Sequence, residues 1–171
     1  SAVVTVARIF ALLGCAMLAA CSASAGASTT GGTSNVSPQQ RRVISLMPSL
    51  TADLCAIGAG AQVVGVSTYE HYVPCAKHAP VVGDFGSVDS EKALEQRPDL
   101  VVGIPAQQRA IEPLARAGVR IALLRDDSYS DIFGDIAQLG ALAGHEAAAA
   151  ALAKRLRARA AASSEERRVG K

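Results

Sequence analysis

The sequence predicts an α/β fold built on a parallel sheet, and three observations predict it. Short apolar runs with β-branched residues recur at Val43–Leu46, Val63–Val66, Leu100–Ile104 and Ile121–Leu124. Segments with apolar residues at helical spacing separate most of them. The connections are short and marked by Gly and Pro. Strands alternating with helices across short links give a parallel sheet of four strands with helices on both faces and right-handed crossovers.

Taken in order, the first strand stops at Pro48. Ser49 or Thr51 can cap the helix that follows. Leu50, Leu54 and Ile57 share its inner face, and Gly58 and Gly60 stop it. The second strand leads into Ser67-Thr68-Tyr69. A loop from Val73 to Gly86 follows, broken by Pro74, Pro80, Gly83 and Gly86. Asp89 or Ser90 can cap a short helix to about Arg97, which Pro98 breaks. The third strand ends at Pro105, and Ala106 to Ala117 is helical, stopped by Gly118. The fourth strand runs into Arg125-Asp-Asp-Ser128. Ser130 or Asp131 opens a helix with Ile132, Phe133, Ile136, Leu139 and Leu142 on its apolar face, and Gly144 ends it. His145 to Ala162 is helical by propensity. Its Lys154, Arg155, Arg157 and Arg159 read as a solvated basic face.

In parallel sheets, ligands bind outside the carboxyl ends of the strands. Met47-Pro48-Ser49 and Ser67-Thr68-Tyr69 take that position here. The formal net charge of +2 gives no sign of a nucleic-acid partner. Residues 41–144 carry 9 Lys and Arg against 12 Asp and Glu, so the folded body is mildly acidic.

The stretch from Arg42 to Tyr72, followed by Val81-Val-Gly-Asp-Phe-Gly86, Glu91 and Arg97-Pro-Asp-Leu-Val-Val-Gly103, resembles the class III substrate-binding proteins of bacterial ABC importers for cobalamin and ferric siderophores. That resemblance implies two lobes joined by one long helix, of which residues 41–144 are the first lobe and 145–163 the start of the interlobe helix. It implies an ABC transporter permease as partner, a small-molecule ligand and a monomeric protein without a cofactor or resident metal. Cobalamin, a ferric siderophore and haem stay open as ligands. Aromatics matching Tyr69 and Phe85 face the ligand in the family. Tyr72, Ser49, Ser67 and Pro105 are further candidates at the strand ends. Glu91 matches an acidic residue that docks into arginine pockets of the permease; the bland reading is a first-turn carboxylate favoured by the helix dipole.

Residues 1–20 read as a signal peptide, with Arg8 ahead of an apolar core shorter than the ~20 residues that span a bilayer. Leu18-Ala19-Ala20-Cys21 resembles a bacterial lipobox, which implies lipidation of Cys21, membrane attachment and a location in the periplasm or at the cell surface. Residues 21–40, rich in Ser, Thr, Gly and Ala, read as a flexible tether. Residues 164–171 break the helical pattern and read as a non-native tail, with the second lobe missing.

Other chemistry carries less weight. Cys55 and Cys75 can form a disulfide in an oxidising compartment, and a free buried Cys55 is equally ordinary. His71, Cys75 and His78, with Glu70 beside them, do not match a strong zinc spacing. Asp126-Asp127 at a strand end could bind magnesium or act in catalysis. An enzyme on a similar sheet and a metal-binding surface lipoprotein are therefore the alternatives. No nucleophile–base arrangement or phosphate loop is apparent in the sequence.

Overall fold

The computed structural model describes residues 37–125 and 128–169. The signal peptide, Cys21, most of the tether and Asp126-Asp127 lie outside the described residues. A sheet of five parallel strands forms the centre, in the order β3-β2-β1-β4-β5. The strands are β1 (Val43–Ser45), β2 (Val63–Ser67), β3 (Val81–Gly83), β4 (Leu100–Gly103) and β5 (Arg120–Leu123). The helices are α1 (Pro48–Ala56), α2 (Ser90–Glu95), α3 (Gln108–Arg116), α4 (Tyr129–Ala143) and α5 (Glu146–Val169).

The expected count of four strands is corrected to five. β3 has three residues and lies inside the Pro- and Gly-rich stretch that reads as loop. It is an edge strand, held on one side by β2 alone. The sequence gives such a strand little signal, because the ladder of its neighbour supplies most of its order.

Alternation along the strands builds two cores. Val43, Leu100 and Val102 face one core, completed by Leu50 and Leu54 of α1, Ile136 and Leu139 of α4, and Leu152 of α5. Ile44 and Val101 face the other, with Ala93 of α2 and Ile111 and Leu114 of α3. Helices therefore cover both faces, as expected. Truncating a residue such as Ile44, which is wholly buried, to Ala costs about 2–5 kcal/mol.

Several ends differ in detail from the expected caps. Met47 is the N-cap of α1 and makes no side-chain cap bond, while Pro48 occupies the first turn. Proline suits that place because its missing N–H is one of the donors a helix start cannot satisfy. Thr51 is turned inward instead, its Oγ1 lying 2.8 Å from Ser45 Oγ. Asp89 caps α2, accepting from the Lys92 N–H at 3.0 Å. For α4 the cap is Ser128, not Ser130 or Asp131. Gly144 ends α4 in the left-handed region, at φ +75°.

The last carbonyls of α4 have no partners within the helix. Three distant side chains supply them. Arg41 donates to Leu142 O, Gln62 to Ala143 O at 3.0 Å, and Gln39 to Gly144 O at 3.1 Å. Gln39 belongs to a 3-10 turn over Pro38–Gln40, so folded chain begins inside the segment expected as tether. The backbone of α5 continues helically through Val169, past the expected stop at 163. Its basic face is not wholly solvated: the Arg157 guanidinium lies over the Phe133 ring at 4.5 Å. No helix among the described residues is long and apolar enough to cross a membrane.

Cys55 and Cys75 form a disulfide, with their Cα atoms 6.0 Å apart and a sequence separation of 20. It joins the end of α1 to the loop between β2 and β3. Gly60 makes room for it, since a Cβ there would meet Cys75 Sγ at 2.7 Å. Closing a loop of about 20 residues is worth about 3 kcal/mol in the chain-entropy account. The double substitution Cys55→Ala/Cys75→Ala should lower the urea unfolding free energy by about that amount, and an unchanged transition midpoint would show the link to be idle.

Candidate ligand-binding site

Parallel pairing brings the carboxyl ends of all five strands to one edge of the sheet. Phe85 follows β3, Tyr69 and Tyr72 follow β2, Ser49 follows β1 and Pro105 follows β4. The three aromatics are large and exposed, at 46%, 53% and 62% of their surfaces. Ser49 and Pro105 are exposed too. An edge carrying aromatic faces beside small polar groups suits a large apolar ligand.

Two turns present the aromatics, and an acidic side chain organises each. The Thr68 N–H donates to Gly83 O at 3.0 Å, tying the turn after β2 to the end of β3. Beyond β3, Asp84 Oδ1 accepts from the N–H groups of Gly86 and Ser87, at 2.9 and 2.8 Å. Gly83 also bridges Val88, so Phe85 sits at the tip of a closed turn. After β2, a 3-10 turn over Glu70–Tyr72 is closed by the Val73 N–H on Glu70 O at 2.8 Å.

Glu70 points the opposite way from its aromatic neighbours. Its side chain is wholly buried, and its Oε2 accepts from Ser67 Oγ at 2.6 Å. Its Oε1 has no hydrogen-bond partner. Ser67, a candidate for the rim, is therefore behind it: buried, with its hydroxyl spent on Glu70. The buried Ser45–Thr51 pair belongs to the same end of the sheet. Burial pushes the Glu70 carboxyl above the ordinary carboxylate range, and the hydroxyls of Ser67 and Thr51 and nearby backbone groups oppose that rise.

On the β4 side, Gln107 takes a similar structural part. It is buried, donates to Leu46 O at 3.0 Å and accepts from the Ile104 N–H at 3.1 Å. It thus ties the exits of β1 and β4 together. Glu91 is exposed in the first turn of α2. Cys75, bonded to Cys55, has no thiolate to offer a metal. No cluster of His, Cys, Asp and Glu suited to a metal occurs among the described residues.

The profile of a family described as periplasmic binding protein matches residues 43–166, which is most of the folded chain. The chain belongs to the periplasmic binding protein family. It is 33% identical over 127 residues to an uncharacterised ABC transporter substrate-binding lipoprotein, YvrC, of Bacillus subtilis, covering 71% of this chain and 40% of that protein. The periplasmic vitamin B12 binding protein BtuF of Vibrio cholerae superposes with a TM-score of 0.65 at 28% identity, over 71% of this chain and 48% of that one. A periplasmic haem-binding protein from Pseudomonas aeruginosa also gives 0.65, at 27% identity, over 70% and 44%. The chain thus spans about two fifths of the curated relative and under half of each solved structure. The family is one of solute-binding transport proteins, and the parallel α/β fold found here matches these neighbours.

Sequence reasoning found the exposed aromatics of this periplasmic binding fold and missed the residues that hold them. Glu70 entered only as a neighbour of possible metal ligands, Asp84 only inside the motif over residues 81–86, and Gln107 not at all. The usable signal was spacing: Ser67 and Glu70 stand three apart directly after a strand, as do Ile104 and Gln107.

Glu70 gives the fold a pH dependence of definite sign. Its folded value lies above that of the unfolded chain, so the folded state binds the extra proton. Its stabilising contribution is complete below the unfolded carboxyl range and is lost as pH rises through the folded value. Thermal unfolding followed by circular dichroism should therefore give a Tm that declines more from pH 4 to pH 8 in the wild type than in Glu70→Gln. Parallel declines would contradict the assignment.

Proposed function

We propose that this chain is the first lobe of an extracytoplasmic solute-binding lipoprotein of an ABC importer, which captures cobalamin, haem or a ferric siderophore and delivers it to a membrane permease. The observation that carries the reading is the row of exposed aromatics, Tyr69, Tyr72 and Phe85, at the carboxyl edge of the sheet. Large aromatic side chains exposed along one edge of a sheet mark a surface suited to binding. Corrin and porphyrin rings are flat, largely apolar and matched to stacking on aromatic faces. Among the relatives, proteins named for vitamin B12 and for haem both occur, which supports a macrocyclic ligand class.

The second half of the cleft belongs to a second lobe, connected through α5. Glu91, exposed in the first turn of α2, serves as the acidic contact for the permease, where rim charges speed encounter more than they add affinity. The periplasm is the compartment, and it is compatible with the Cys55–Cys75 disulfide. Membrane attachment is through acylated Cys21. Replacing Cys21 with Ala should abolish incorporation of a fatty-acid analogue, and retained label would remove the anchor from the proposal.

Absorbance titration with cyanocobalamin and with hemin tests the ligand reading. Tyr69→Ala and Phe85→Ala should each weaken the preferred probe about tenfold or more. Glu91→Ala should leave that affinity unchanged and reduce stimulation of the transporter ATPase. Aromatic variants that bind both probes like the wild type would place the ligand elsewhere.

A further inference from the structure

Glu70 presents an energetic puzzle. A carboxyl sealed from water, with one oxygen lacking a partner, is costly beside an apolar residue of similar size. The cost falls at one place: the first residue of the 3-10 turn, which has Tyr69 as its N-cap and Tyr72 as its last residue. Three elements converge on that turn through side chains without charge. Ser67 ends β2 and donates to the carboxyl. Thr51 comes from the first turn of α1, and its hydroxyl is paired with Ser45 at the end of β1. All four side chains are buried. None of the described charged groups contributes to the environment of Glu70, which is set by burial, hydroxyls and backbone.

An apolar side chain at this position could slide within the core, whereas a carboxyl held by a directional bond to Ser67 has one orientation. With Glu70 fixed inward, Tyr69 and Tyr72 beside it are exposed. The Val73 N–H on Glu70 O closes the turn, and the disulfide at Cys75 anchors the loop two residues further on.

We propose that Glu70 is a positioning residue for ligand capture: its carboxyl, held by Ser67 against the Ser45–Thr51 pair, locks the turn so that the Tyr69 and Tyr72 rings stand exposed at the sheet edge for a flat macrocycle. This rests on the reading of that edge as the ligand face. Ionisation of Glu70 places a charge out of water that the Ser67 and Thr51 hydroxyls and nearby backbone groups offset only in part, and it loosens the turn, so ring presentation and affinity decline as pH rises through its titration.

The spectroscopic test is favourable, because the protein has no Trp and two of its three tyrosines, Tyr69 and Tyr72, are on this turn. Near-UV circular dichroism reports their order, and absorbance titration with cyanocobalamin and hemin reports capture. Glu70→Ala should lose most of the tyrosine signal, keep the far-UV spectrum and weaken the preferred probe about tenfold through lost preorganisation. Glu70→Gln should restore both readouts and flatten their pH profiles, where a merely space-filling role would leave wild-type and Gln profiles alike. Should Glu70→Ala not fold, the wild-type and Gln profiles decide by the same criterion. Wild-type tyrosine signal in Glu70→Ala, or identical pH profiles in wild type and Glu70→Gln, would overturn the proposal. Tyr69→Ala separates the two readings: if it binds both probes normally, the ligand face is wrong, and the tyrosine signal still judges whether Glu70 orders the turn.

Discussion

The pairing of β1 with both β2 and β4 is the constraint on which the molecule depends. β1 is the middle strand, and all three of its residues are buried. A strand without access to water must satisfy its N–H and C=O groups through its neighbours, so it requires a ladder on each side. Because every link in this chain crosses back over a helical face or a long loop, those ladders are parallel. Parallel ladders put all strand exits on one edge. The aromatic rim is thus a consequence of how the central strand is satisfied.

Just beneath that edge the core changes character. Most of the interior is aliphatic, yet Ser45, Thr51, Ser67, Glu70 and Gln107 are buried under the strand exits. Chain direction changes sharply here, and turns leave backbone groups that strands and helices do not pair. Gln107 meets this need directly, bonding the carbonyl of Leu46 and the N–H of Ile104. Ser67 and Glu70 meet each other instead. Directional bonds at the exits define where each turn points, while the apolar layers behind them supply most of the stabilisation.

The loop between β2 and β3 shows how these terms combine. It is long for a connection, and Val73 and Ala76 are the side chains it buries in the apolar core. Its order comes from Glu70 near one end, the disulfide in the middle and the short edge strand β3 at the other end. The aromatic residues that it carries are consequently exposed yet attached to a defined framework, which is what preorganised recognition needs.

Composition and periodicity alone specified a parallel α/β layer, because a buried strand and an amphipathic helix each leave a local pattern that needs no partner to be read. Four of the five strands and the five helices were legible in that way, while Tyr69, Tyr72 and Phe85 came from their places after strands and from the family resemblance. The Asp89 cap and the Gly144 stop were legible too, since both act within one turn of chain. Tertiary structure decided the rest. It made Val81–Gly83 a strand by lending it the ladder of β2, and joined Cys55 to Cys75 across 20 residues of sequence. It gave the α4 carbonyls to Arg41, Gln62 and Gln39, and turned Ser67 and Glu70 inward while Tyr69 and Tyr72 stayed exposed. The physical reason is the same in each case. Whether a polar side chain faces water or the core depends on which donors and acceptors the fold leaves unpaired beside it, and that is fixed only when distant segments meet.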